Sequence, residues 1–121
     1  MKKNYHESSK TGALAWFLQR ISAVILFVLL MFHFLTYHFI AKGVIKYGDI
    51  VAKMKSPWFN LLQFLFLLSA LYHGLNGIWA IAEDYCHHRG WRLLILALIT
   101  IVGSGLFFIG TLTIIRVGLK V

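Results

Sequence analysis

Charge is scarce in this sequence, and acidic charge most of all. Only 13% of its 121 residues are Asp, Glu, Lys or Arg, and only four are acidic. Soluble domains carry about a quarter charged residues, which cover their water-facing surface. So short a chain without that cover excludes an aqueous enzyme. A single cysteine cannot pair within the chain, which excludes a disulfide scaffold. What is abundant is apolar surface, at 60% of residues, together with a net charge of +8. That charge alone would suit a nucleic acid, but the long apolar runs argue against it, and no nucleic-acid partner is expected.

A helix needs about 20 apolar residues to cross a bilayer. Residues 21–40, 58–82 and 93–115 are such stretches without a formal charge. Lipid offers no water to the backbone, so each is expected to be helical. The stretches are too evenly apolar for the alternating strands of an outer-membrane barrel. The expected fold is all-α: an integral membrane three-helix transmembrane subunit, one domain over residues 1–121. Its spans cover about 14–41, 58–82 and 92–116, with Arg20 in the first turns of span one. Residues 41–57 and 83–92 read as short polar connections. Ser56-Pro57 suits a helix start, with Ser as cap and Pro in the first turn. Trp16, Trp58, Trp79, Trp91 and Tyr85 fall near span ends, as in an interfacial aromatic belt, and lipids are therefore expected contacts.

The first apolar run begins late, is long, and lacks a small-residue cleavage site, so it reads as a retained span rather than a signal peptide. Three spans set the termini on opposite sides. Lys2, Lys3, Lys10, Arg20, Arg89 and Arg92 then share one side. Lys42, Lys46, Lys53, Lys55, Arg116 and Lys120 share the other. The positive-inside rule needs an excess on one side, and six against six gives none.

Ionisable groups at membrane depth are costly and call for an explanation. His33 and His38 lie in span one and His73 in span two. An interhelical hydrogen bond accounts for a lone histidine, and for His38, near its span end, that account is preferred. His73 shares a helical stripe with Gly77, Ala80 and Asp84. A histidine beside small residues serves either close helix packing or a flat macrocycle with imidazole as an axial haem ligand. His33 lies seven residues before the end of span one, and His73 fifteen residues into span two. At 1.5 Å per residue their depths differ by roughly 12 Å. As ligands they would belong to two cofactors. Span three has no histidine, so each second ligand would come from a partner subunit. Antiparallel spans also bring Arg20, Ser22, Asp84 and Tyr85 to one interface. There Arg20 either snorkels or joins a polar pocket whose donors would suit a quinone carbonyl. Asp84 is equally able to pair with Arg20 or Arg89. Cys86, His87 and His88 lack the ligand count of a metal site.

Two stretches carry a resemblance. Gln19-Arg20-Ile21-Ser22-Ala23-Val24 resembles the His-Arg-x-Ser/Thr-Gly-x opening of the membrane-anchor subunits of succinate dehydrogenase and fumarate reductase. The run from His73 through Gly77 to Asp84-Tyr85 resembles their second-span motif, with the His73-to-Tyr85 interval as the diagnostic part. The resemblance implies a haem b- and quinone-binding anchor that passes electrons between an iron–sulfur subunit and membrane quinone. It implies a flavoprotein subunit and a second anchor subunit as further partners, in the cytoplasmic membrane of a bacterium or archaeon with the N-terminus cytoplasmic. By the same resemblance His73 is a haem ligand, and residues 83–92 face the iron–sulfur subunit. Arg20, Ser22, Asp84 and Tyr85 fall at the quinone pocket or haem propionate region. The position of His33 resembles anchors with two haems. Gln19 replaces the usual histidine, and with Asp84-Tyr85 this favours the D-type anchor. The readings from other classes are a non-redox scaffold and a proton-conducting channel subunit.

Overall fold

The computed structural model describes residues 8–40 and 44–119. Lys2, Lys3, Lys42 and Lys120, counted above for topology, lie outside them. Four α-helices follow in order: α1 (Ser8–Leu35), α2 (Tyr47–Met54), α3 (Pro57–Tyr85) and α4 (Arg89–Gly118). A π-helical turn, Thr36–Ile40, ends the first span. Three apolar segments, Gly12–Phe39, Pro57–Tyr85 and Arg89–Gly118, have the length and composition to cross a membrane. The expected three-span, all-helical fold is what forms, and no strand occurs among the described residues. The helices run a few residues beyond the expected spans, because polar residues at their ends still satisfy their own backbone groups.

The expected 41–57 connection holds more structure than a loop. Ile50, Val51 and Met54 make an apolar stripe on α2, and Met54 is buried. The carboxylate of Asp49 accepts the backbone N–H of Lys46 at 3.1 Å, placing negative charge at the helix start. Lys53 reaches back to donate to the Thr36 carbonyl at 3.4 Å and sits 4.8 Å from the Tyr37 ring centre. The π turn is thus tied to α2. Ser56 caps α3 only by its backbone; its hydroxyl makes no capping bond, and Pro57 opens the helix as expected. His88, read above as a loop residue, caps α4, its Nδ1 accepting the N–H of Gly90 at 3.1 Å.

α3 is the central element. It packs against α1 on one side and α4 on the other, while α1 and α4 do not touch among the described residues. The molecule is a layer of three antiparallel spans with very little core: among the described residues the only buried hydrophobic side chains are Met54 and Ala82. The α3–α4 contact depends on glycine. Added methyl groups on Gly103, Gly110 and Gly118 would meet Leu75, Leu67 and the Asn60 side chain respectively. These α4 positions recur every seven or eight residues, so α3 side chains seat in a row of notches. At Gly110 the nearest Leu67 atom would lie 2.8 Å from the added carbon. Gly110→Ile is expected to lower stability by about 1–3 kcal/mol through overpacking, measured by thermal unfolding in detergent, with Gly105→Ala, at an open position, as the neutral control.

Candidate functional site

Polar residues at membrane depth gather at one level of the α1–α3 contact, around Gln19. Its Nε2 donates to the His73 carbonyl at 3.1 Å, and its Oε1 accepts from Asn76 Nδ2 at 2.8 Å. Its own carbonyl accepts from Ser22 Oγ at 3.0 Å and lies 3.3 Å from His73 Nδ1. Ser22 Oγ is also 3.3 Å from that nitrogen and is only 7% exposed. Room for this clamp comes from Gly77, where an added carbon would lie 3.4 Å from Gln19 Nε2.

The clamp orients His73: the Gln19 carbonyl only accepts, so an Nδ1–H would donate to it, with the Ser22 hydroxyl alongside. Nε2 has no hydrogen-bond partner among the described residues. A histidine held through Nδ1–H with a free Nε2 lone pair is in the form that ligates a metal.

His33 sits elsewhere. Its ring lies 4.6 Å from Tyr37 and stacks nearly parallel on Phe66 at 5.8 Å. The space beside it is about 10 Å3. His33 is level with Phe66 of α3 and His73 with Ser22 of α1, so eleven residues of α1 and seven of α3 separate the two levels. At 1.5 Å per residue that is about 10–16 Å, in keeping with the expected separation. His38 packs on Phe34 at 4.5 Å. No three His, Cys, Asp or Glu side chains form a metal-binding group among the described residues.

Above the clamp, α1 and α3 diverge into a groove of about 770 Å3, lined by Arg20, Trp16, Gln19, Asn76, Trp79 and Glu83 among others. The Arg20 guanidinium lies 4.0 Å above the Trp16 ring. Its N–H groups have no acceptor among the described residues. Of the four residues expected at this end, Arg20 lines the groove and Ser22 is turned into the clamp. Asp84 and Tyr85 stand at the end of α3 outside the groove, with Tyr85 81% exposed. Asp84 pairs with neither Arg20 nor Arg89; the ion pair here is Arg92 to Glu83 at 3.0 Å. Asn76, Trp79 and Glu83 were missed in the sequence, although their spacing of three and four marks one helical face.

A layer of three membrane-length helices with a polar clamp and an open groove at one end defines a multi-pass membrane subunit. The chain belongs to the family of succinate dehydrogenase/fumarate reductase transmembrane subunits, which matches residues 3–113. A succinate dehydrogenase hydrophobic membrane anchor subunit of Archaeoglobus fulgidus is 30% identical over 106 residues, 86% of this chain and 91% of that protein. One of Rickettsia typhi is 31% identical over 98 residues, 79% of this chain and 77% of that protein. Succinate dehydrogenase 2 membrane subunit SdhC of Mycobacterium tuberculosis is 30% identical over 74 residues, 61% of this chain and 54% of that protein.

The clamp predicts coupled energetics. In a double-mutant cycle, Gln19→Leu and Asn76→Leu are expected to show about 0.6–2 kcal/mol of interaction energy, read by denaturant titration in micelles. Thr113→Val, on α4 and bonded to its own helix at Ile109, is expected to couple with neither.

Proposed function

We propose that this chain is a haem b- and quinone-binding D-type anchor of a succinate:quinone oxidoreductase, passing electrons between an iron–sulfur subunit and membrane quinone. The observation that carries this reading is His73, held at Nδ1 by Gln19 and Ser22 with Nε2 left free. Gln19, Ser22 and Asn76 orient the imidazole. A bound haem supplies a one-electron carrier buried at the depth of the clamp. His33 is the candidate ligand for a second iron. Its place in the Tyr37–Phe66 aromatic stack also serves helix packing, so the observations support His73 more directly.

The Arg20 groove supports quinone binding. Guanidinium N–H groups over an aromatic floor provide donors for a carbonyl in a groove walled by Trp16, Trp79, Ala15 and Ala80, with Gln19 and Asn76 at its base. Ser22 acts here through His73, while Asp84 and Tyr85 stand where a neighbouring subunit would meet the end of α3. The groove and the histidine are both open on this chain alone. A second anchor subunit would supply the facing wall and the second axial ligand. The turn after α3, with Asp84 unpaired among the described residues, offers charge to the iron–sulfur subunit, through which the flavoprotein subunit would attach. On this reading the N-terminal end of α1 lies on the cytoplasmic side of a bacterial or archaeal membrane.

A reduced-minus-oxidised spectrum of the purified complex tests the haem assignment. His73→Ala is expected to remove one b-type signal, and His33→Ala the other where two are present. Absence of any b-type signal in the unmodified complex favours the non-redox scaffold. Altered proton flux in His73→Ala with unchanged haem content favours a channel. Arg20→Leu is expected to lower quinone reduction at least about tenfold, matching the loss of a charged hydrogen bond, with electron transfer from succinate to a soluble acceptor retained.

A further inference from the structure

A second cavity lies at the same end of the molecule, between α3 and α4. It measures about 420 Å3 and is lined by Trp79, His87, Arg89, Arg92, Leu93 and Leu96. Trp79 is the only residue it shares with the Arg20 groove. Its chemistry is divided by depth. Arg89, His87 and Arg92 stand at the start of α4, while Leu93 and Leu96 lie four and seven residues further along the helix, about 6–10 Å deeper. Both leucines are exposed, at 58% and 42%. Glu83 neutralises Arg92 at 3.0 Å, but Arg89 has no partner among the described residues. The N-terminus of a 30-residue helix adds positive potential at the same place.

We propose that this cleft binds one anionic phospholipid, with its phosphodiester on Arg89 and His87 and an acyl chain along Leu93 and Leu96. A cationic rim above an apolar floor matches a molecule charged at the interface and apolar below it. A quinone head carries no charge to match Arg89. A soluble subunit would meet the rim but would not reach leucines at membrane depth. The cleft also lies on the side of α3 that carries α4, and α4 does not touch α1. The cleft therefore meets the groove only at Trp79, with its leucines on the α4 side. The site is independent of the haem and quinone assignments.

Native mass spectrometry of the chain, purified with its accompanying subunits in mild detergent, tests this with dioleoylphosphatidylglycerol and dioleoylphosphatidylcholine as probes. The unmodified protein is expected to retain the anionic lipid in preference. Arg89→Gln is expected to reduce that preference about fivefold, the equivalent of one interfacial cation, and Arg89→Lys to keep most of it. Leu96→Trp fills the floor while leaving every cation in place, and is expected to lose the lipid as well. Equal retention of the two lipids by the unmodified protein would overturn the proposal. So would unchanged preference in both Arg89→Gln and Leu96→Trp, or displacement of the anionic lipid by inorganic phosphate. Loss of a soluble subunit from Arg89→Gln with lipid preference intact would assign Arg89 to protein docking instead.

Discussion

The structure depends on how one glutamine is satisfied inside a chain that has almost no core. Gln19 spends its amide nitrogen, amide oxygen and backbone carbonyl on His73, Asn76 and Ser22. Between helices in lipid there is no hydrophobic force to hold α1 to α3, so packing and hydrogen bonds must do it. The clamp joins the two helices, sets their register at one level, and orients His73. Gln19 and Asn76 also line the groove beside Arg20, so the clamp forms its base.

The other helix contact uses the opposite means. α3 and α4 meet through leucines seated against glycines, with Asn60 against Gly118 closing the row. Close approach of the two helices carries most of that contact, with the Glu83–Arg92 ion pair at its end. α3 therefore has a hydrogen-bonded seam on one side and a mainly apolar, glycine-notched seam on the other. That asymmetry leaves α1 and α4 apart, and it leaves much apolar side-chain surface uncovered. Lipid covers such surface at no cost. The polar positions Nε2 of His73 and the guanidinium of Arg20 differ from that surface, since they have no hydrogen-bond partner among the described residues.

Much of this was legible in the sequence. The three spans follow from uncharged runs longer than a bilayer requires, and the separate depths of His33 and His73 follow from the rise of a helix. The family could be reached from the His73-to-Tyr85 interval. α2 was not seen, because eight residues with lysines at both ends read as a polar loop until Met54 is found buried. The direction in which Ser22 and Asp84 face was not legible for a related reason. Sharing an interface by residue count says nothing of rotation about the helix, and rotation turned Ser22 inward to His73 and left Asp84 outside the groove.

The sequence by itself determined that the chain crosses a membrane three times, since hydropathy and length are sums over residues and need no partner. It also determined which ionisable groups lie at membrane depth, because depth follows from position along a straight helix. Only the tertiary structure brought His73 Nδ1 to the Gln19 carbonyl and Ser22, made Gln19 the centre of the clamp, and paired Arg92 with Glu83. These depend on the azimuth and spacing of neighbouring helices, which are set by contacts between residues far apart in the chain.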